Sequence, residues 1–176
     1  VAVQEEEQVK ITKPKLGIMV EVPSVLLQID EFAELVDFFS VGSNDLIQYL
    51  LAVDRNNPRV SSVYSHFHPS ILRALQKLVK ECHHHEKPIS ICGEMAGDPL
   101  SAILLMAMGF NTLSMSSSNI LRVRKAICHV SMIDAEQLLN EVVKMNNPLM
   151  VKSWMEYYFR NHGLGDMVKS NRLVSV

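Results

Sequence analysis

Glu21, Asn44, Asp45, Arg55 and Cys92 are the side chains of this sequence best placed to do chemistry. Glu21 interrupts the apolar run Ile18-Met-Val-Glu-Val-Pro23, where a carboxylate loses hydration at a cost of several kcal/mol unless a cation or a set of donors faces it. An ion pair and a bound metal answer that need equally well. Asp45 tips the balance toward the metal, because it puts a second carboxylate after the next apolar run. Two carboxylates supply the hard oxygens that Mg²⁺ prefers, and water and substrate oxygens complete the octahedron.

Ser43-Asn44-Asp45 also reads as a helix start, with Ser or Asn as the cap and Asp near the positive end of the dipole. Gly42, just before it, lets backbone N–H groups approach an oxyanion, so capping and anion binding can coexist there. Arg55, in Ala52-Val-Asp-Arg-Asn-Asn-Pro58, can hold a phosphate or carboxylate in two parallel hydrogen bonds, or simply pair with Asp54. Cys92 ends an apolar run ahead of Gly93-Glu-Met-Ala-Gly-Asp-Pro99. Buried cysteines are mostly packing residues, yet a thiol of pKa near about 8.5 at such a place can give or take a proton at neutral pH. Cys82 and Cys128 sit inside helical patterns and take the packing reading. His83-His84-His85 cannot chelate one ion, since consecutive helical residues point apart, and a solvated helix end is expected instead. Met106 and Met108 are expected to fill core gaps.

Repeated strand–helix units must position these groups. Residues 16–22 form a short apolar run closed by Pro23, the pattern of a strand buried on both faces, and 24–35 follow at helical spacing with Ser24 as N-cap. The unit recurs as 36–41 with a helix from Asp45, as 88–92 with a helix from Pro99, and as 112–116 with a helix over 119–129. A longer helix is expected over 69–86, and two more over 133–145 and 148–161. Four such units call for parallel strands with right-handed crossovers, in a doubly wound sheet or in half of a (β/α)8 barrel. In a parallel barrel the strand ends and the loops after them build the active site, and Glu21, Ser43-Asn44-Asp45, Cys92-Gly93-Glu94 and Ser114 to Ser118 fall there.

Composition narrows the class. The chain has 176 residues, 48% apolar and 20% charged, enough to bury one core. A net charge of −2 gives no positive field for nucleic acid or an anionic membrane, so an anionic ligand needs locally placed cations. Three widely spaced cysteines fit free thiols in a reducing, cytoplasmic setting. No run is long enough to span a membrane. Residues 1–10, with Glu5-Glu6-Glu7, read as the solvated end of a helix or as a frayed leader.

Gly17-Ile-Met-Val-Glu-Val-Pro23, Asp37-Phe-Phe-Ser-Val-Gly-Ser-Asn-Asp-Leu46 and Ile91-Cys-Gly-Glu-Met-Ala-Gly-Asp-Pro99 resemble signature blocks of the phosphoenolpyruvate-utilising enzymes. Leu51-Ala-Val-Asp-Arg55 and the block at Cys92 are most similar to the enzyme I branch, the phosphoenolpyruvate-protein phosphotransferases. Asn56-Asn57 and Gly163-Leu-Gly-Asp166 lean toward its nitrogen-related members. The resemblance runs from about Lys15 to Gly165. It implies an α/β fold, the C-terminal half of a (β/α)8 TIM barrel, divided as 1–15 lead-in, 16–130 four β–α units and 131–176 C-terminal helices.

The resemblance further implies Mg²⁺ held by Glu21 and Asp45, phosphoenolpyruvate held by Asn44, Asp45 and Arg55, and Cys92 protonating C3 of the enolate. Ser43 stands where threonine is also common, and Ile120-Leu121 replaces Ile-Pro before Arg122; neither touches an implied role. Family members pass phosphoryl to a histidine on a separate domain and on to a small HPr-like phosphocarrier protein. This chain is therefore expected to hold part of a homodimeric enzyme and to show little turnover alone. The rival readings are a phosphoenolpyruvate synthase or pyruvate phosphate dikinase type of enzyme, and a non-catalytic dimerisation module.

Overall fold

The computed structural model describes residues 12–168, so the helix end or leader expected over 1–10 lies outside the described residues. Four short strands form: β1 (Gly17–Val20), β2 (Phe38–Gly42), β3 (Ile89–Cys92) and β4 (Thr112–Ser114). All pair in parallel in the order β1-β2-β3-β4, with Val20 beside Val41, Val41 beside Ile91 and Ile91 beside Leu113. An order that never reverses has no switch point, so right-handed crossovers place every connecting helix on the same face. Burial follows that rule. Val20, Phe39, Val41, Ile89 and Ile91 are buried, whereas their alternates Phe38, Ser40, Ser90 and Cys92 are only half-buried. Met19, expected to be buried, is 46% exposed because its face of β1 carries no helical layer.

The helices are α1 (Ile29–Ala33), α2 (Ser43–Leu51), α3 (Pro69–His84), α4 (Pro99–Met108), α5 (Ser117–His129), α6 (Met132–Val142) and α7 (Pro148–Asn161). The single helix expected over 24–35 is broken into a 3-10 turn, Pro23–Leu27, and the short α1. Gln28, at φ −132° and ψ 26°, leaves the helical region between them, and Ser24 caps nothing because the turn already begins at Pro23. α2 starts at Ser43, earlier than expected, and Gly42 precedes it without a side-chain cap. Ser43 and Asn44 therefore lie inside the helix, and their side chains serve contacts across the loop rather than capping.

α4 is apolar on nearly every side and is buried from Pro99 to Leu105, as a helix hydrophobic all round must be. Asp98 Oδ2 caps it, accepting from the Ser101 amide at 3.0 Å and the Ser101 hydroxyl at 2.7 Å. α5, α6 and α7 pack on α4. Arg73 of α3 ties this layer down: its Nε donates to the Val143 carbonyl at 3.0 Å and its Nη2 to the Met145 carbonyl at 3.1 Å. No helix among the described residues is long and apolar enough to cross a membrane.

Candidate active site

Each strand hands its last residue to a loop on one rim of the sheet, and the singled-out residues meet there. Glu21 follows β1 directly and is half-buried. Its carboxylate lies over Gly42: a Cβ on that glycine would stand 2.9 Å from Glu21 Oε2. Gly42 leaves the space that the Glu21 carboxylate occupies at the end of β2, and Asp45 follows, exposed, in the first turn of α2. Neither carboxylate makes a hydrogen bond or ion pair with a described residue, so the ion-pair reading of Glu21 finds no partner among them.

Two carboxylates without a described partner on one rim supply hard oxygens of the kind Mg²⁺ prefers. No group of three or more His, Cys, Asp or Glu able to hold a metal occurs among the described residues. Glu21 and Asp45 alone would supply two oxygen ligands, so a metal held there would need water or substrate oxygens to complete its shell.

Arg55 does not pair with Asp54, whose Oδ1 accepts from the Asn56 amide at 2.9 Å. Its Nη1 reaches Glu94 Oε1 at 3.4 Å, while its own amide donates to Gln48 Oε1 at 3.3 Å. The side chain is 35% exposed. Sequence reasoning missed Glu94 as this partner, and it missed Tyr64 altogether.

The Tyr64 hydroxyl donates to the Asn44 carbonyl at 3.4 Å. Burial, followed by the negative charge of Glu94, pushes its pKa up to about 12 against the opposing pull of Arg55. Tyr64 thus remains a neutral donor beside Asn44, Asp45 and Arg55. No motif marks it; the only sequence signal is an aromatic residue in a polar loop.

The loop after β3 is locked to the start of α2. The buried Ser43 hydroxyl donates to the Cys92 carbonyl at 2.6 Å, and Asn44 Oδ1 accepts from the Glu94 amide at 3.2 Å. Gly93 makes the approach possible. It sits at φ +105°, and a Cβ there would stand 2.5 Å from Ser43 Oγ and 2.9 Å from Asn44 Oδ1. With its oxygen engaged, Asn44 has its amide nitrogen left to offer a ligand.

Cys92 is half-buried, in register with Gly42 on β2 and Ser114 on β4. It lines a hollow with Asn44, Ser114, Met115 and Asn119, so it faces open space rather than serving as core packing. A neighbouring hollow is lined by Arg55, Asn56, Ser61 and Tyr64, and Glu94 borders both.

The other cysteines divide. Cys82 is buried, and burial, then Glu81, pushes its thiol up to about 12, as a packing residue should show. Cys128, expected to pack, is exposed on α5. His83 and His84 are exposed at the end of α3, and His85 Nε2 meets Asp30 at 2.8 Å, so the histidine run is the solvated helix end expected.

The family described as PEP-utilising enzyme, PEP-binding domain, matches residues 1–132, three quarters of the chain. The chain belongs to this family. The match ends at the first residue of α6, so all four strands and α1 to α5 fall inside the PEP-binding domain and α6 and α7 beyond it.

Among curated proteins, the "Phosphoenolpyruvate-dependent phosphotransferase system" protein of Salmonella typhimurium strain LT2 is 39% identical over 159 residues, 90% of this chain and 21% of that protein. The "Phosphoenolpyruvate-protein phosphotransferase" of Priestia megaterium is 42% identical over 144 residues, 81% of this chain and 25% of its own. The "Multiphosphoryl transfer protein 1" of Escherichia coli K12 is 54% identical over 112 residues, 64% of this chain and 14% of its own. The chain thus spans a quarter or less of the length of these relatives.

Proposed function

We propose that this chain is the phosphoenolpyruvate-binding part of a Mg²⁺-dependent phosphotransferase. That enzyme moves the phosphoryl group of phosphoenolpyruvate to a histidine elsewhere in a longer protein, then to a small HPr-like phosphocarrier protein, and releases pyruvate in the cytoplasm. One observation carries the reading: Glu21 and Asp45, two carboxylates with no described partner, stand on the same rim as the Arg55 fork and the Cys92 thiol.

Glu21 and Asp45 would hold the metal, which would supply charge neutralisation on the substrate oxygens. Arg55 supplies the planar fork for phosphate or carboxylate, and the free amide nitrogen of Asn44 with the α2 backbone fixes the substrate's orientation. Transfer breaks the P–O bond of phosphoenolpyruvate, forms a P–N bond to histidine and leaves the enolate of pyruvate. Cys92 then gives its S–H proton to C3: the enolate's electron pair becomes the new C–H bond, the ketone C=O forms, and the thiolate regains a proton from water.

A one-way strand order with helices on one face supports an arc of a (β/α)8 barrel, completed by strands outside this chain. The half-buried inner face of Ser40, Ser90 and Cys92 becomes the barrel interior in that arrangement. The chain alone then lacks half of the site and turns over little substrate, and the enzyme acts as a homodimer.

The test uses the intact protein that carries this chain. Glu21→Ala with Asp45→Ala abolishes Mg²⁺-dependent consumption of phosphoenolpyruvate. Unchanged consumption in that double variant overturns the proposal, and a requirement for ATP instead of a protein acceptor moves the enzyme to the synthase or dikinase type.

A further inference from the structure

We propose that Ser43 is a positioning residue for the Cys92 thiol, an inference that rests on the function proposed above. Ser43 is one of only two buried polar residues in the described core, and the other, Ser101, is accounted for by the Asp98 cap of α4. Ser43 caps no helix. Its hydroxyl crosses 49 residues of sequence to donate to the main-chain carbonyl of Cys92 at 2.6 Å, the shortest side-chain bond to a strand end on this rim.

That bond fixes the backbone from which the thiol projects. β3 ends at Cys92, and Gly93 turns the chain into the left-handed region at once, so the ladder that orients the strand gives out at the residue that must be oriented. The Asn44 side chain closes the same clamp one step further, on the Glu94 amide. Ser43 and Asn44 therefore couple the substrate-binding first turn of α2 to the proton-bearing loop of β3. Proton delivery to carbon demands close placement of donor and acceptor, and a small displacement lowers the rate without lowering affinity.

The intact protein tests this with Ser43→Ala, Ser43→Thr and Cys92→Ser, read by pyruvate release and by the rate at which iodoacetamide alkylates Cys92, followed by peptide mass. Ser43→Ala lowers kcat about ten- to a hundredfold while KM for phosphoenolpyruvate stays within about twofold, and it changes the alkylation rate of Cys92. Ser43→Thr keeps the hydroxyl and restores both. If Ser43→Ala does not fold, Ser43→Cys, similar in size but a weaker donor, is read in the same way.

Unaltered kcat and alkylation in Ser43→Ala sink the inference, and so does a threonine variant as impaired as the alanine one. The two proposals fail separately. A Cys92→Ser enzyme with normal kcat removes the role of the thiol itself, whereas an impaired Cys92→Ser beside a normal Ser43→Ala removes only the role of Ser43.

Discussion

Arg55 and Glu94 meet at 3.4 Å, bringing a guanidinium carried after α2 against a carboxylate carried after β3, with the Tyr64 hydroxyl under the influence of both. Glu94 is 68% exposed on its side chain, so the pair contributes no more than about 1 kcal/mol to stability. Its effect is local and electrostatic.

Glu94→Gln therefore leaves the thermal midpoint nearly unchanged and lowers the pKa of Tyr64, because the Glu94 charge is the second cause holding it up. A tyrosine difference titration against Tyr64→Phe reads this shift. An unmoved Tyr64 would mean that the carboxylate does not act on it.

Gly42→Ala forces Glu21 aside, since the new methyl stands 2.9 Å from Oε2. Displacing this proposed ligand weakens divalent-ion affinity by about ten- to a hundredfold. Binding of Mn²⁺ followed by electron paramagnetic resonance measures the loss without relying on turnover.

Gly93→Ala combines a φ of +105° with a 2.5 Å approach to Ser43 Oγ. The strain alone costs about 1–3 kcal/mol, which for a chain of this size lowers Tm by roughly 3–10 °C. Thermal unfolding followed by circular dichroism gives the number, and a variant as stable as the parent contradicts the clamp.

Stability declines in alkali in two stages. Cys82 titrates near 9.0 and Tyr64 near 10.0 when unperturbed, and each is raised to about 12 in the folded chain. Above pH 9 the unfolded chain has released protons that the folded chain retains, so the stability from these two groups is complete below pH 9 and is lost toward pH 12. In Cys82→Ala the slope of stability against pH flattens first, between pH 9 and 10. Tyr64→Phe flattens it only above pH 10. Urea titrations at stepped pH separate the two.

Much of this architecture could be read from residue patterns, and the failures have physical causes. Pro148 and Asn161 bound α7 as the helical spacing requires, and the β–α alternation gave four parallel strands in the expected sequence. The helix over 24–35 failed because periodicity counts apolar spacing and does not register the Gln28 backbone that breaks it. The burial of β1 failed because Met19 looks away from every helix, a fact of topology rather than of local composition.

At the candidate site, the positions of Glu21, Asn44, Asp45 and Cys92 at or just after strand ends were legible as polar residues closing apolar runs, and Arg55 followed as a cation past the next helix. Glu94 and Tyr64 were not, since their partners Arg55 and Asn44 lie 39 and 20 residues away and only the folded rim brings them together. A separation of 49 residues hid the role of Ser43, whose type and place suggest an ordinary cap although α2 begins on it.

The enclosure of α4 sets the order in which this molecule comes apart. Its amides are shielded by α5, α6 and α7, so deuterium reaches them only when the whole assembly opens, and they are the last to exchange. On the ribosome the same helix emerges before α6 and α7 exist to cover it. A greasy cylinder then waits for its wrapping, and the nascent chain is most vulnerable to chaperones and proteases in that interval.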